Sequence, residues 1–326
     1  MHLNSINNRL FKNGLVLSVA SVLAGVMGYL FQIFMSHFLD AANFASLGAL
    51  LATVAIISSP VNAFGIVAGR RLAQLSSLDE FLKLRRLVGG IITVGLGAGL
   101  IFSLVTTVFF QVLSDFLKIS DNSVMLCAVI FIMLTPVQVC LLVILQNLQF
   151  FYSLSFIKVF WNFSRLLICA VVFLFGMALS GVVFGLVAAS LATSILSIFF
   201  LMKQKIHPTY AKVGKIDFGV TSSFLPNVLF AQVATTLIVQ ADVVLANYLF
   251  EPRLASDYAA AAVLGKSILY LPAAFVMVLF PMAVEAKTKK QGSLRLLKQA
   301  MTVSLTLAVT ASIVFFFLAE LIVGLV

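Results

Sequence analysis

Three charged side chains stand inside long apolar segments of this sequence: Arg165, Asp242 and Lys266. A charge within the hydrocarbon core of a membrane is costly, so such residues usually face the protein interior or a water-filled cavity. At 1.5 Å per helical residue, Asp242 lies about 12 Å from the end of its segment and Lys266 roughly 15 Å into the next one. On consecutive antiparallel helices the two would therefore lie at similar depth. They could form an ion pair, which either holds the helices together or serves a binding cavity.

Polar residues accompany both members of this pair at helical spacing. Tyr258 and Tyr270 fall with Lys266 at multiples of about four residues, and Gln232 shares a helix face with Asp242. Tyrosines beside a cation suit a cavity that binds sugars, although tyrosines are also common where a helix meets the membrane surface. All five residues are therefore candidates for substrate binding.

Arg165 is a separate candidate on another helix. It shares a stripe with Lys158 and Asn162 and lies about 9 Å from the predicted cytoplasmic end of its span, at 1.5 Å per residue. A long side chain at that depth can reach back to the membrane surface. If it points inward instead, its planar guanidinium suits the binding of a phosphate through two parallel hydrogen bonds.

Composition identifies the segments that position these residues as membrane spans. Hydrophobic residues make up 62% of the 326 residues and charged residues only 10%, whereas a soluble domain needs roughly 25%. The net charge of +10 would suggest nucleic acid in a soluble protein, but here the basic residues lie in short loops, where they set membrane topology. The three cysteines lie inside apolar runs without metal-site spacing. The sequence thus favours an integral membrane protein surrounded by lipid, with no cofactor, metal or nucleic acid.

Nine segments approach or exceed the length of about 20 apolar residues that a membrane-spanning helix needs. They cover approximately residues 13–38, 43–68, 88–110, 123–145, 159–178, 181–202, 221–249, 255–284 and 300–324. Nearly all of the 21 lysines and arginines lie on one side of this map, with Lys118 and Arg253 on the other. Because the lysine-rich and arginine-rich side faces the cytoplasm, we expect a cytoplasmic N-terminus. The predicted fold class is an all-α polytopic transmembrane bundle of about nine spans.

The last three predicted spans read like a repeat of the first three. In each copy a polar turn with Asn43 or Asp257 leads into a span that contains Pro60 or Pro272, and a basic segment and a further span follow. Six spans separate the copies, so both have the same orientation. Parallel repeats of this kind are a transporter arrangement. The alternative is chance similarity between two apolar hairpins.

The repeat divides the chain into three parts. Residues 1–202 form a first six-helix lobe, residues 203–220 a basic cytoplasmic connector, and residues 221–326 the first three helices of an incomplete second lobe. Three further helices would complete that lobe. We therefore expect a C-terminally truncated product, or a fragment of a parent with twelve to fourteen spans.

Several short stretches of the sequence match a known family. Phe11-Lys12-Asn13-Gly14 enters the first span, and Phe38-Leu39 followed by Asn43-Phe44 links the first span to the second. The best match runs from Gln240-Ala241-Asp242-Val243-Val244-Leu245 through Asp257-Tyr258-Ala259-Ala260-Ala261 to Leu279-Phe280-Pro281. On these residues the chain resembles the polysaccharide flippases of the multidrug/oligosaccharidyl-lipid/polysaccharide exporter superfamily. The likeness runs along most of the chain, but the second lobe of that family would continue beyond Val326.

The resemblance implies an alternating-access flippase with two lobes around a central cavity. Its cargo would be an isoprenoid-pyrophosphate-linked oligosaccharide, passed across a bacterial-type cytoplasmic membrane for export of a cell-surface polysaccharide such as capsule or lipopolysaccharide. Lys266 would then meet the pyrophosphate, while Asp242 restrains Lys266 or carries a coupling ion. Polysaccharide assembly proteins are the partners that this function would imply.

Two other classes of function remain open at this point. A multidrug or small-molecule exporter of the same superfamily would prefer an acidic cavity, and among the predicted spans only Asp242 supplies an acid deep in the membrane. A membrane-embedded polysaccharide polymerase or ligase would need catalytic groups on a large external loop. The predicted external loops are short and carry no evident nucleophile or phosphate-binding motif, so the sequence favours a transporter over an enzyme.

Overall fold

The computed structural model of the chain describes residues 2–77, 80–176, 178–204, 206 and 224–266, and scattered helical residues between 301 and 317. Its helices are α1 (His2–Phe38), α2 (Ala41–Ser77), α3 (Phe81–Val108), α4 (Phe110–Leu117), α5 (Asn122–Asn147), α6 (Phe151–Leu174), α7 (Leu179–Lys203) and α8 (Leu225–Leu249), followed by α9 (252–266). These residues contain no strand, and the predicted all-α fold class is confirmed.

Within the described part, seven helices are long and apolar enough to cross a membrane. They are α1, α2, α3, α5, α6, α7 and α8, and they correspond in order to the first seven predicted spans. Most of the predicted eighth and ninth spans lies outside the described residues. Their extent, the parallel repeat and the division into lobes stay predictions.

Four helices extend well beyond the spans predicted for them, and the first of these, α1, begins at His2 instead of residue 13. Helix α2 continues from the predicted end at residue 68 to Ser77, and α3 begins at Phe81 instead of residue 88. Helix α6 begins at Phe151 instead of residue 159. Hydropathy detects only the part of a helix that is uniformly apolar. The extensions carry charged and polar residues on one face, whereas Leu72 and Leu75 on the other face are buried.

Short turns with specific residues separate the helices. Lys118 ends α4 in the left-handed conformation with φ 54°, and Asp121 then starts α5 by accepting hydrogen bonds of 2.8 Å from the backbone N and from Oγ of Ser123. Between α6 and α7, Gly176 has φ 73°, a conformation that glycine adopts without a steric penalty. The fifth and sixth predicted spans thus correspond to two separate helices, α6 and α7, that follow each other closely in sequence.

Two hydrophobic cores fill opposite ends of the bundle. The first core, at the end that holds the α4–α5 turn, joins the last part of α1 to the first halves of α2, α5 and α7, with Phe31, Leu47 and Met125 among its buried members. The second core joins the last part of α2 to the start of α3, the end of α5 and the start of α6. Val243 and Val244 of α8 belong to the first core. We call the end that holds the first core the joined end.

Candidate functional site

Helices α8 and α9 bring together the two charged residues that the sequence singled out. Nζ of Lys266 lies 2.9 Å from Oδ1 of Asp242. The predicted ion pair is therefore present in the structure. The side chain of Lys266 is 19% exposed and that of Asp242 is 33% exposed, so the pair is partly buried and remains accessible to a polar ligand.

Two further polar groups complete the cluster around this pair. The Tyr258 hydroxyl donates to Oδ2 of Asp242 at 3.3 Å, and Lys266 also donates to Oε1 of Gln240 at 3.4 Å. Both carboxylate oxygens of Asp242 thus accept a hydrogen bond. A lysine ammonium has three N–H groups, of which these contacts use two. The third can serve an anionic ligand without breaking the ion pair.

Sequence reasoning missed Gln240 as a member of the cluster. Gln240 is two residues from Asp242, a spacing that turns about 200° around a helix, so helical spacing does not place the two on one face. The long Lys266 side chain reaches both of them. The signal was present in the sequence, because Gln240 is a polar residue in an otherwise apolar stretch and opens the Gln-Ala-Asp segment.

The remaining two sequence candidates are Gln232 and Tyr270. The amide of Gln232 donates to Oγ1 of Thr236 at 3.5 Å, and Thr236 in turn donates to the Gln232 backbone carbonyl at 2.8 Å. Gln232 lies about 15 Å along α8 from Asp242 at 1.5 Å per residue, so the structure does not bring it into the cluster. Tyr270 lies outside the described residues.

The buried part of α8 begins directly after Asp242. The buried residues of this helix are Val243, Val244, Ala246 and Asn247, and they pack at the joined end. Before Asp242, no described residue of α8 is buried. The ion pair therefore marks the level at which α8 leaves the packed core.

Arg165 lies on α6 against α1. Its Cζ is 4.5 Å from the ring centroid of Phe31, within the range of a cation–π contact. Gly28 leaves room for the guanidinium, because a Cβ at that position would lie 3.0 Å from Nη2 of Arg165 and 3.2 Å from Oδ1 of Asn162. The contacts described for Arg165 thus place it at the α1–α6 interface.

The contact with Phe31 bears on the direction in which Arg165 points. Phe31 is fully buried in the first core, and the guanidinium lies 4.5 Å from the centroid of its ring. Arg165 therefore lies against the interior of the bundle. This packing favours an inward role over a contact with the membrane surface.

Comparison with known proteins shows what the fold resembles. No protein-family model matches the sequence, and no curated protein matches it. Twelve solved chains match its structure. An inward-facing multidrug resistance MATE family transporter of the MOP superfamily superimposes with a TM-score of 0.67 at 9% identity, over 94% of this chain and 75% of the transporter.

Two other solved structures share the fold. The MATE transporter ClbM in complex with Rb⁺ has a TM-score of 0.58 at 16% identity, over 95% of this chain and 72% of ClbM. A MOP superfamily transporter from Pyrococcus furiosus Vc1 (DSM3638) has a TM-score of 0.56 at 12% identity, over 83% of this chain and 68% of that one. The binding pocket of that transporter has a reverse polarity, which suggests a different function for it. The chain thus has a MATE-like transporter fold.

Proposed function

We propose that this chain is an alternating-access transporter that moves an isoprenoid-pyrophosphate-linked oligosaccharide from the cytoplasmic to the outer leaflet of a bacterial-type cytoplasmic membrane. The observation that carries this proposal is the Asp242–Lys266 pair, held with Tyr258 and Gln240 at the level where α8 leaves the first core. We expect a ligand that enters between the helices from the end opposite the joined end to reach this pair. The MATE-like fold supports transport over the polymerase or ligase alternative.

The balance of charge supports an anionic cargo. Among the described residues of the predicted spans 159–178, 221–249 and 255–284, the charged residues away from the span ends are two cations, Arg165 and Lys266, and one carboxylate, Asp242, while Asp257 lies at the start of its span. A pyrophosphate that reaches Lys266 would gain a charge-assisted hydrogen bond, which is about twice as strong as a neutral one. Asp242 holds the ammonium of Lys266 in place through the 2.9 Å ion pair. Tyr258 and Gln240 add the neutral hydrogen-bonding groups that sugars require.

A multidrug exporter of the same superfamily is the second candidate. Two observations favour it: the fold is shared with a multidrug resistance transporter, and Asp242 offers a carboxylate that is one-third exposed. In that case a cationic drug would displace Lys266 from Asp242. The two candidates therefore differ in which member of the ion pair meets the cargo.

Binding to the purified chain in lipid nanodiscs distinguishes the two candidates. The single Trp of the chain, Trp161, lies one helical turn from Arg165 and supplies a fluorescence signal. The probes are farnesyl pyrophosphate, the matched alcohol farnesol, and the cationic dye ethidium. We expect the pyrophosphate to bind more tightly than the alcohol, and Lys266→Met to weaken its binding by about tenfold, the effect of one charge-assisted hydrogen bond.

Lys83→Met is the matched control, because Lys83 pairs with Glu80 in an exposed i,i+3 ion pair outside the proposed site. It should leave binding of all three probes unchanged. Equal binding of the pyrophosphate and the alcohol would contradict the anionic-cargo proposal. Ethidium binding that is lost in Asp242→Asn would establish the drug-exporter alternative instead.

A further inference from the structure

Two helix ends that are far apart in sequence cap each other at the joined end. Nδ2 of Asn247, on α8, donates to the backbone carbonyl of Leu117 at 2.9 Å. Nζ of Lys118, directly after α4, donates to the backbone carbonyl of Phe250 at 2.7 Å. Leu117 is the last residue of α4 and Phe250 is the C-cap of α8. Each helix thus supplies a side chain for the C-terminal carbonyl of the other.

These contacts provide partners for backbone groups that a helix leaves unpaired at its end. The last carbonyls of a helix have no partner within it and need one from elsewhere. A lysine at a helix C-terminus also interacts favourably with the negative end of the helix dipole. Asn247 is 3% exposed and Leu117 is fully buried, so water cannot readily replace this bond. Separating the two helix ends would leave both carbonyls without these donors.

Neighbouring contacts join the ends of α4 and α8 to each other and to α2 and α9. Ser46 Oγ donates to the Lys118 backbone carbonyl at 3.4 Å, and the rings of Phe116 and Tyr248 lie 4.9 Å apart. A Cβ added at Gly48 on α2 would lie 3.4 Å from Cβ of Ala259 on α9. The joined end is therefore closed by α2, the α4–α5 turn, α8 and α9 together.

We infer that Asn247, Lys118 and the two carbonyls that they bind form a latch that keeps the joined end closed. The inference rests on the proposed transport function, since alternating access requires this end to open. Opening breaks both hydrogen bonds at once, so loss of either donor shifts the equilibrium toward the open arrangement. In the predicted orientation the joined end is the external one, and the latch opens when cargo is released.

A cysteine reporter measures this equilibrium in the absence of cargo. Ala259 is 3% exposed and becomes accessible only when the joined end opens. The full chain with Ala259→Cys is labelled by a maleimide in detergent, and mass spectrometry of the peptide that carries residue 259 separates its labelling from that of Cys127, Cys140 and Cys169. We expect Lys118→Met and Asn247→Ala each to accelerate labelling by about tenfold, the change expected from losing one such bond.

Conservative and distant variants serve as controls. Lys118 is exposed, so its replacement does not disturb the packing of the chain. Lys118→Arg keeps a cationic donor and should label as slowly as the unsubstituted protein, as should Lys83→Met. Unchanged labelling in both Lys118→Met and Asn247→Ala would overturn the latch, whatever the transport activity. Accelerated labelling without binding of any isoprenoid pyrophosphate would support the latch and count against the proposed cargo.

Discussion

At the scale of single residues, the Asp242–Lys266 pair shows how the chain tolerates charges in a span. Each ion alone would carry a large desolvation cost, and removal of one partner leaves the other uncompensated. Here the ammonium has a carboxylate at 2.9 Å and an amide oxygen at 3.4 Å. The carboxylate has a second donor in Tyr258. Removing one partner alone is therefore expected to be costly.

This compensation predicts a positive coupling between the two residues. Lys266→Met and Asp242→Asn should each lower thermal stability in detergent, and the double variant should lose less than the sum of the two. We expect a coupling energy of about 1–2 kcal/mol, within the range for directly contacting charges. Thermal unfolding of the four proteins measures it. Strict additivity would show that the two side chains do not interact in solution.

Substitution of Gly28 tests whether Arg165 contacts the cargo. Gly28→Ala should displace the guanidinium, because the new Cβ would lie 3.0 Å from Nη2. If Arg165 contacts the pyrophosphate, binding of farnesyl pyrophosphate falls by about tenfold, the value of one charge-assisted bond. Gly25→Ala is the matched control on the same helix, since nothing lies within 4 Å of its added Cβ. Unchanged binding in Gly28→Ala, together with lower stability, would assign Arg165 a structural role alone.

At the scale of helices, the start of α5 depends on a carboxylate. The Ser123 side chain and then its backbone N–H, both hydrogen-bonded to Asp121, lower the pKa of that carboxyl below its usual value. Because the pKa is lower in the folded state, the cap contributes fully above the unfolded pKa of about 3.9. Its contribution is lost as the pH falls through the folded value.

We therefore expect acidic pH to weaken the first turn of α5 through protonation of Asp121. Hydrogen exchange at the amide of Ser123, corrected for intrinsic rates, should accelerate as the pH falls below about 4, the usual range of an aspartate. Asp121→Ala should show fast exchange throughout and no such transition. A transition that persists in Asp121→Ala would assign the effect to another group.

Close packing of α3 against α5 depends on a second glycine. A Cβ at Gly99 would overlap the backbone carbonyl of Met133, whereas a Cβ at Gly97 has nothing within 4 Å. Gly99→Ala should destabilise the protein by about 1–3 kcal/mol, as overpacking usually does, while Gly97→Ala should be neutral or slightly stabilising. Thermal unfolding of both variants in detergent tests this. Equal stability of the two would contradict the packing of these helices.

The sequence predicted the existence and order of the described spans but not their full lengths. Hydropathy found the apolar middle of each helix. It could not show that α6 continues back to Phe151, because Tyr152, Ser153 and Lys158 interrupt the apolar run. It also predicted the ion pair, since Asp242 and Lys266 are isolated charges at matching depth. The contacts of Gln240, Asn247 and Lys118 depend on tertiary packing, which no local pattern encodes.

At the scale of the whole molecule, the unequal packing of α8 is the main finding. Its C-terminal part is buried with α2 and the α4–α5 turn, and its described N-terminal part contains no buried residue. The ion pair lies at the boundary between the two parts. This arrangement fits the proposed transport cycle, with a closed end held by the inferred latch and the candidate binding site next to it.

Sequence and structure differ in what they establish at this scale. The structure shows a MATE-like fold, which is consistent with the resemblance of the sequence to the exporter superfamily, and transport is the role that we propose. The predicted parallel repeat depends on spans eight and nine, most of which lies outside the described residues. The side that faces the cytoplasm follows from the placement of lysine and arginine, and it stays a prediction. The proposed cargo rests on charges that a fold alone does not specify.

Transport in proteoliposomes is the decisive experiment for the proposed function. The full chain is reconstituted with a fluorescent isoprenoid-pyrophosphate-linked saccharide, and an added reagent that cannot cross the membrane destroys the label in the outer leaflet only. We predict that the protein moves the lipid between leaflets, that Lys266→Met slows this movement at least tenfold, and that Lys83→Met does not. Movement no faster than in protein-free liposomes, alongside active transport of ethidium, would contradict the proposed function.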